Sequence, residues 1–161
     1  MSSTFKSKRI SKTSRITLNA SLNRVFPLFG PIKEKEWAAG WEPQVLYSTT
    51  DMEERLVFQT QSPHGPEPVF TWTISKYQPD QAFIEYTVFT SERLWWITIQ
   101  CREGNGGGTT AAEITYTYTG LNEKGNAINE IALAAMYRRD LKDWEEAINH
   151  YLETGARLEQ G

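Results

Sequence analysis

The feature that most restricts the fold of this chain is a change of hydrophobic period near residue 120. Between residues 44 and 119, apolar and polar side chains alternate in six successive runs, whereas the C-terminal part repeats with the period of a helix. Short turn-like segments separate the runs, and such links join antiparallel neighbours because parallel strands need long crossovers. The sequence therefore predicts an antiparallel sheet followed by a long helix, which is an α+β fold.

About seven strands are expected, each with one apolar and one polar face. They are predicted near residues 14–20, 44–49, 55–61, 69–77, 81–90, 94–102 and 110–119. In the last run, Ala112, Ile114, Tyr116 and Tyr118 alternate with polar residues. Because every strand has one polar face, we expect the sheet to be covered on one side only.

Two short helices are predicted after the first strand, and a long one ends the chain. The short helices cover residues 21–29 and 32–39, with Gly30-Pro31 between them. The final helix is predicted over residues 126–154, about 43 Å long. One apolar stripe follows it and contains Leu133, Tyr137, Leu141, Trp144, Ile148 and Tyr151. Its first half is apolar nearly all round, so loops or a second copy of the chain are candidates for covering it.

A cavity between sheet and helix is the expected consequence of this order. A long twisted sheet does not follow one straight helix along its whole length, so a gap opens at one end. Large inward aromatic residues and one carboxylate on the apolar stripe are the candidates for lining it. The predicted ligand-binding residues are Trp37, Trp41, Trp72, Tyr86, Trp95, Tyr116, Tyr118, Glu130 and Tyr137. Trp37 and Trp41 either gate the mouth or fasten the short helix to the sheet.

Several short segments carry a resemblance to a known fold family. They are Phe-Pro-Leu-Phe at 26–29, Trp-Ala-Ala-Gly-Trp-Glu-Pro at 37–43, Tyr-Thr-Tyr-Thr at 116–119, and Trp144 with the segment 149–155. Together with the order of elements, they resemble the SRPBCC superfamily, the START and Bet v 1-like helix-grip fold. That superfamily also includes polyketide cyclases and Hsp90-activator-type domains. The resemblance covers residues 12–155 of one domain, 1–161, and implies a cavity for a hydrophobic ligand between the sheet and the C-terminal helix.

Composition excludes several classes of function. A net charge of −3 and a pI near 5.5 argue against general nucleic-acid binding. The basic cluster from Lys6 to Arg15 lies at the N-terminus, where residues 1–11 are predicted to form a flexible tail. The first twenty residues contain no apolar signal region, and no run reaches the ~18 apolar residues of a membrane span. We therefore expect a cytoplasmic protein without a membrane span.

No metal site, cofactor or catalytic nucleophile is predicted from the motifs. The two histidines, His64 and His150, lack the paired spacing of metal ligands. The glycine-rich segment 104–108 lacks the Gly-Lys-Ser/Thr ending of a phosphate loop. Cys101, the single cysteine, falls on an inward apolar face and is expected to be a buried thiol.

Three functions remain open at this level. The first is binding or carriage of a small hydrophobic molecule, aromatic or lipid-like. The second is an enzyme resembling polyketide cyclases or dehydratases, in which a cavity tyrosine acts with Glu130 or Arg15. The third is a protein-binding module of the Hsp90-activator type, supported by the apolar start of the last helix.

Overall fold

A single antiparallel sheet forms the framework of the protein in the computed structural model, which describes residues 4–62 and 65–159. Its strands are β1 Arg9–Leu18, β2 Gln44–Tyr47, β3 Val57–Gln61, β4 Val69–Gln78, β5 Phe83–Phe89, β6 Arg93–Glu103 and β7 Thr110–Gly120. Their order across the sheet is β1-β7-β6-β5-β4-β3-β2. The prediction of an antiparallel sheet of about seven strands is confirmed.

The N-terminal strand begins earlier than predicted. Much of the expected tail is held to the fold, because the Ser7 hydroxyl donates to the Gly120 carbonyl at 2.6 Å and the Lys8 amide donates to Asn126 Oδ1 at 3.0 Å. The amide group of Asn126 in turn donates to the Lys6 carbonyl at 3.0 Å. The predicted flexible tail is therefore wrong for residues 6–11, while residues 1–3 lie outside the described residues.

The two short helices contain fewer α-helical residues than predicted, and much of each segment forms a 3₁₀ turn. The first consists of helix α1, Leu22–Val25, followed by a 3₁₀ turn, Phe26–Phe29. The second is a single 3₁₀ turn, Lys33–Glu36. Val25, Phe26, Leu28 and Phe29 are all buried, so the segment covers one end of the sheet.

The C-terminal helix is interrupted, and the prediction of one continuous helix is wrong at this point. Helix α2 spans Glu123–Met136 and helix α3 spans Lys142–Thr154. Between them, Asp140 and Leu141 adopt left-handed φ angles of 52° and 58°. A left-handed leucine costs about 1–2 kcal/mol, but Leu141 is completely buried, which is worth about 1.5–3 kcal/mol. Burial thus offsets the strain.

Contacts with the sheet fix the position of this break. The Tyr137 hydroxyl donates to the Lys12 carbonyl at 2.8 Å, and the Ser14 hydroxyl donates to the Asp140 carbonyl at 2.8 Å. The apolar stripe continues in phase across the break, and neither glycine nor proline marks it. The periodicity alone therefore could not reveal that two helices follow the curved sheet.

The inward faces of the central strands are buried as predicted, and the helices cover them unevenly. Strands β5, β6 and β7 alternate buried and partly exposed residues along their lengths. Near the start of α2, a Cβ on Gly125 would collide with the backbone of Glu92, so this end of the helix lies directly against the turn between β5 and β6. Ile131 on the same helix is 73% exposed. None of the helices in the two described ranges is both long and apolar enough to cross a membrane.

Candidate functional site

A cavity of about 200 Å³ lies between the inner face of the sheet, the short N-terminal turns and helix α3. Six aromatic side chains line it: Phe29, Trp41, Trp72, Tyr86, Tyr116 and Trp144. The remaining lining residues are Glu34, Ile97 and Ile99. The expected aromatic cavity is therefore present, and four of the predicted ligand-binding residues, Trp41, Trp72, Tyr86 and Tyr116, face it.

Hydrogen bonds hold one wall of the cavity rigid. The indole N–H of Trp41 donates to the Pro31 carbonyl at 2.8 Å, and that of Trp72 donates to the Thr60 hydroxyl at 2.9 Å. The two indoles meet edge to face, with ring centroids 5.4 Å apart. The Tyr86 hydroxyl donates to the Phe29 carbonyl at 2.6 Å. These side chains shape the cavity, and their own polar atoms are already satisfied.

Trp37 and Tyr137 are structural rather than cavity-lining. Trp37 is 2% exposed, its indole N–H donates to the Leu28 carbonyl at 2.7 Å, and its ring packs against Trp144 at 5.9 Å. It fastens the short turns to α3 rather than to the sheet. The Tyr137 hydroxyl lies within hydrogen-bonding distance of two backbone carbonyls, to which it donates: that of Lys12 at 2.8 Å and that of Ile114 at 3.0 Å.

Trp95 and Tyr118 belong to a separate cluster around a buried arginine. The guanidinium carbon of Arg93 lies 4.2 Å from the Trp95 ring centroid and 5.3 Å from that of Tyr118. Arg93 also forms an ion pair with Glu67 at 2.7 Å, and both side chains are about 95% buried. Sequence reasoning missed this pair, although Arg93 is in phase with the inward residues of β6.

The structure corrects the placement of Glu130. Its side chain is 62% exposed and lies 3.9 Å from the Lys8 ammonium. The buried positions of α2 are Gly125, Asn126 and Asn129, so the helix is rotated away from the predicted stripe at this point. Arg15, the other charged candidate, is 78% exposed and pairs with Glu113 at 2.8 Å. Neither residue reaches the cavity.

The carboxyl group that does line the cavity is that of Glu34. Its side chain is partly exposed, and desolvation by the surrounding residues raises the pKa of Glu34 to about 8. No hydrogen bond or ion pair among residues 4–62 and 65–159 involves its carboxyl. The surrounding Lys-Glu-Lys-Glu sequence is typical of a solvated turn, which is why sequence reasoning passed over it. The sequence feature that could have identified Glu34 is its position three residues before the buried Trp37, because residues three apart in a 3₁₀ turn lie on the same face.

Tyr116 supplies the second polar group without a partner. Its hydroxyl takes part in no hydrogen bond with the described part of the chain, whereas its ring packs against Tyr137 and Trp144. Burial raises the pKa of Tyr116 well above its ordinary value, and the negative charge of Glu34 contributes to the same shift. A ligand in this cavity would therefore meet aromatic side chains and two polar groups that make no hydrogen bond with the described residues.

Two outer clefts adjoin the cavity. Trp41 and Trp72 separate it from one cleft, while Glu34 and Trp144 separate it from the other. The indoles on the first side are held by hydrogen bonds. Neither the Glu34 carboxyl nor the Trp144 indole N–H makes one within the described residues. The side of Glu34 and Trp144 therefore lacks the side-chain hydrogen bonds that hold the two indoles on the opposite side.

Other candidate chemistry is limited in the described residues. Cys101 is 2% exposed and burial raises the pKa of its thiol to about 12, so the prediction of a buried thiol is confirmed. No cluster of three metal-ligating side chains occurs in residues 4–62 and 65–159. The Pro63-His64 pair of the predicted turn lies outside the described residues.

Comparisons with known proteins agree with this architecture. Residues 9–148 match the family described as polyketide cyclase / dehydrase and lipid transport. Norcoclaurine synthase from Thalictrum flavum is similar in structure, with a TM-score of 0.68, 9% identity, and coverage of 92% of this chain and 88% of that chain. No match was found among curated protein sequences.

Two further structures are similar over most of this chain. A protein from Rhizobium loti gives a TM-score of 0.61 at 15% identity, covering 88% of this chain and 99% of its own. DynU16, a protein from the dynemicin biosynthetic locus, gives a TM-score of 0.60 at 13% identity, covering 91% of this chain and 48% of its own. At these identities the structures support the fold alone.

Proposed function

Because this chain belongs to the polyketide cyclase / dehydrase and lipid transport family, we propose that it binds a small hydrophobic molecule containing a single ring. The observation that carries the proposal is the cavity of about 200 Å³ lined by six aromatic side chains. An apolar cavity of about 150 Å³ accommodates benzene. The size therefore favours one ring with a short substituent over fused rings or a long acyl chain.

The expected affinity follows from the ligand surface that the cavity buries. Removing about 300 Å² of apolar ligand surface from water is worth about 7 kcal/mol before the costs of association. The dissociation constant is therefore expected to be weaker than the value of about 10 μM that corresponds to this gross free energy. Norcoclaurine synthase, which shares the fold, has been solved in complex with dopamine and hydroxybenzaldehyde, both single-ring molecules.

Binding of a neutral single-ring molecule tests this proposal through thermal stability. tert-Butylbenzene at ten times its dissociation constant should stabilise the protein by about 1.4 kcal/mol, which corresponds to a rise in Tm of about 3–5 °C. Ile97→Trp places an indole in the cavity and should abolish the rise. Ile131→Trp makes the same change at a position that is 73% exposed and should retain it.

An anthracene derivative serves as the size control in the same assay. We expect no shift in Tm with three fused rings, since they exceed the available volume. An equal response of the wild type and Ile97→Trp to tert-butylbenzene, or no response of the wild type at saturation, would contradict the proposal.

A cyclase- or dehydratase-like enzyme is the second candidate, and Glu34 is the observation in its favour. A general acid or base works best with a pKa near the operating pH, and desolvation raises the pKa of Glu34 to about 8. With Tyr116, this residue replaces Glu130 and Arg15 in the enzymatic hypothesis. Mass spectrometry of a ligand extracted from the purified protein, before and after incubation with fresh protein, distinguishes the two functions. Loss of water from the ligand, abolished by Glu34→Gln, favours an enzyme, whereas an unchanged mass favours a carrier.

A further inference from the structure

We propose that the ligand of this cavity is a cation, namely an ammonium group attached to a single ring, bound by the Glu34 carboxylate and the aromatic faces around it. The inference rests on the proposed function and adds the chemical class of the ligand. Three independent features of the described residues support it: the missing partner of Glu34, the chemistry of the cavity wall, and the charge of the adjoining cleft.

The first feature is the missing partner of the Glu34 carboxyl. The Glu34 side chain is partly exposed, and its carboxyl lies beside the aromatic wall of the cavity. Desolvation there disfavours the ionised form unless a cation or hydrogen-bond donors accompany it. Two nearby basic side chains are engaged elsewhere, since Lys33 pairs with Glu36 at 3.5 Å and Arg139 pairs with Glu146 at 2.8 Å. A neutral hydrocarbon in the cavity would leave the carboxyl without a partner, whereas an ammonium group would supply one.

The second feature is the aromatic surface that accompanies the carboxyl. Three indoles, those of Trp41, Trp72 and Trp144, line the same cavity as Glu34. The face of an aromatic ring carries partial negative charge and attracts cations, and tryptophan does so most strongly. Quaternary ammonium groups are recognised by cages of this kind. The wall is therefore suited to a charged group that a purely aliphatic cavity would exclude.

The third feature is the charge of the cleft that adjoins the cavity at Glu34 and Trp144. Asp143 and Glu146 of helix α3 and Glu159 of the C-terminal segment line it, with Arg139 as the cation among its lining residues. Asp143 is close enough to raise the pKa of Tyr116 together with Glu34. Glu146 pairs with Arg139 at 2.8 Å and Glu159 pairs with Arg157 at 2.9 Å, so Asp143 is, besides Glu34, the carboxylate of this cleft without an ion pair among the described residues. Its negative charge favours cations over anions beside Glu34.

Binding of a cation should depend on pH through Glu34. Its pKa of about 8 leaves about a tenth of the carboxyl ionised at pH 7. The affinity for a permanent cation should therefore rise about tenfold per pH unit up to pH 8 and then level off. The titratable and charged groups around Glu34 are Asp143, Glu146, Glu159 and Arg139 from the cleft, and Tyr86 and Tyr116 from the sheet. Burial holds the pKa of both tyrosines well above this range.

Calorimetric titration with a matched pair of probes tests the inference. Phenyltrimethylammonium carries a permanent charge, and tert-butylbenzene is its neutral isostere. Between pH 6 and 9.5, the cation should gain at least tenfold in affinity, and at pH 8.5 it should bind at least tenfold more tightly than the isostere. At pH 7, titrations in two buffers of different ionisation enthalpy should show release of close to one proton per cation bound.

Two variants separate the role of Glu34 from general electrostatics. Glu34→Gln should remove the pH dependence and the preference for the cation, while tert-butylbenzene still binds. Glu153→Gln removes a carboxylate from the exposed face of α3, outside the cleft, and should behave like the wild type.

The outcomes also distinguish this inference from the proposed function. Equal or tighter binding of tert-butylbenzene at every pH, or cation binding by the wild type without proton release, would overturn the cation proposal and leave the hydrophobic cavity standing. Failure of both probes to bind would overturn the proposed function as well.

Discussion

Replacing Arg93 with methionine is expected to lower the free energy of unfolding by about 3–5 kcal/mol, because removal of one partner leaves a buried charge uncompensated. The partner is Glu67, whose Oε1 accepts hydrogen bonds from Arg93 Nε at 2.8 Å and Nη2 at 2.7 Å. Both side chains are about 95% buried. Methionine fills much of the same volume, so the loss reports on the charge rather than on a void.

The arginine also connects parts of the chain that are distant in sequence. Its guanidinium lies over the Trp95 ring at 4.2 Å, and its Nη1 donates to Asn129 Oδ1 in α2 at 3.3 Å. Glu67 also accepts from the Thr90 hydroxyl at the turn before β6. Arg93→Met therefore loosens the segment containing Glu67 and the contact of α2 with the sheet together.

Urea unfolding of three variants measures this contribution. The double variant Glu67→Gln/Arg93→Met removes both charges and should be more stable than Arg93→Met alone, since no unpaired carboxylate remains. Arg15→Met breaks an ion pair in which the arginine is 78% exposed, and should cost about 1 kcal/mol or less. A loss below 1 kcal/mol for Arg93→Met would contradict the account of a buried, obligatory pair.

Replacing Trp37 with alanine should cost about 3–5 kcal/mol, the usual range for a large aromatic residue removed from a core. Trp37 is 2% exposed and packs between Phe29 at 6.3 Å and Trp144 at 5.9 Å. Its indole N–H also donates to the Leu28 carbonyl at 2.7 Å. Because Phe29 and Trp144 both line the cavity, we expect the variant to lose ligand binding along with stability.

Two further substitutions identify which property of Trp37 matters. Trp37→Phe retains most of the packing and removes the hydrogen bond, so it should lose about 1–3 kcal/mol. Trp96→Ala removes the same ring from the outer face of β6, where Arg9 lies 5.1 Å from it, and should cost about 1 kcal/mol or less. If Trp37→Ala unfolded at the same urea concentration as Trp96→Ala, the fastening role of Trp37 would be wrong.

Periodicity predicted the sheet well because the alternation of apolar and polar residues is a property of each strand's own sequence. A half-covered antiparallel strand needs alternation, and β7 shows it over all eleven of its residues and β6 over all but its last. The break between α2 and α3 was missed for the opposite reason. The break depends on hydrogen bonds from the hydroxyls of Tyr137 and Ser14 to backbone carbonyls more than 100 residues away in sequence. Such contacts cannot be predicted from a helical pattern of apolar residues that continues in phase across the break.

The candidate site was predictable only in its aromatic part. Trp72, Tyr86 and Tyr116 were found because they lie on the inward side of strands whose phase is evident. Glu34 was missed and Glu130 misplaced because the orientation of a short 3₁₀ turn and of the first half of α2 depends on tertiary packing. In α2 that packing involves the buried side-chain amides of Asn126 and Asn129. The period of the apolar residues does not predict that these polar residues are buried.

The central claim is that the space between Trp41, Trp72, Tyr86 and Tyr116 is a hollow that accepts one ring. A crystal structure of the protein soaked with iodobenzene, with anomalous data at an energy that detects iodine, tests it most directly. The account predicts an iodine peak inside this cavity and a benzene ring among the indoles. Side chains that fill the space, with iodine found only at the protein surface, would contradict it.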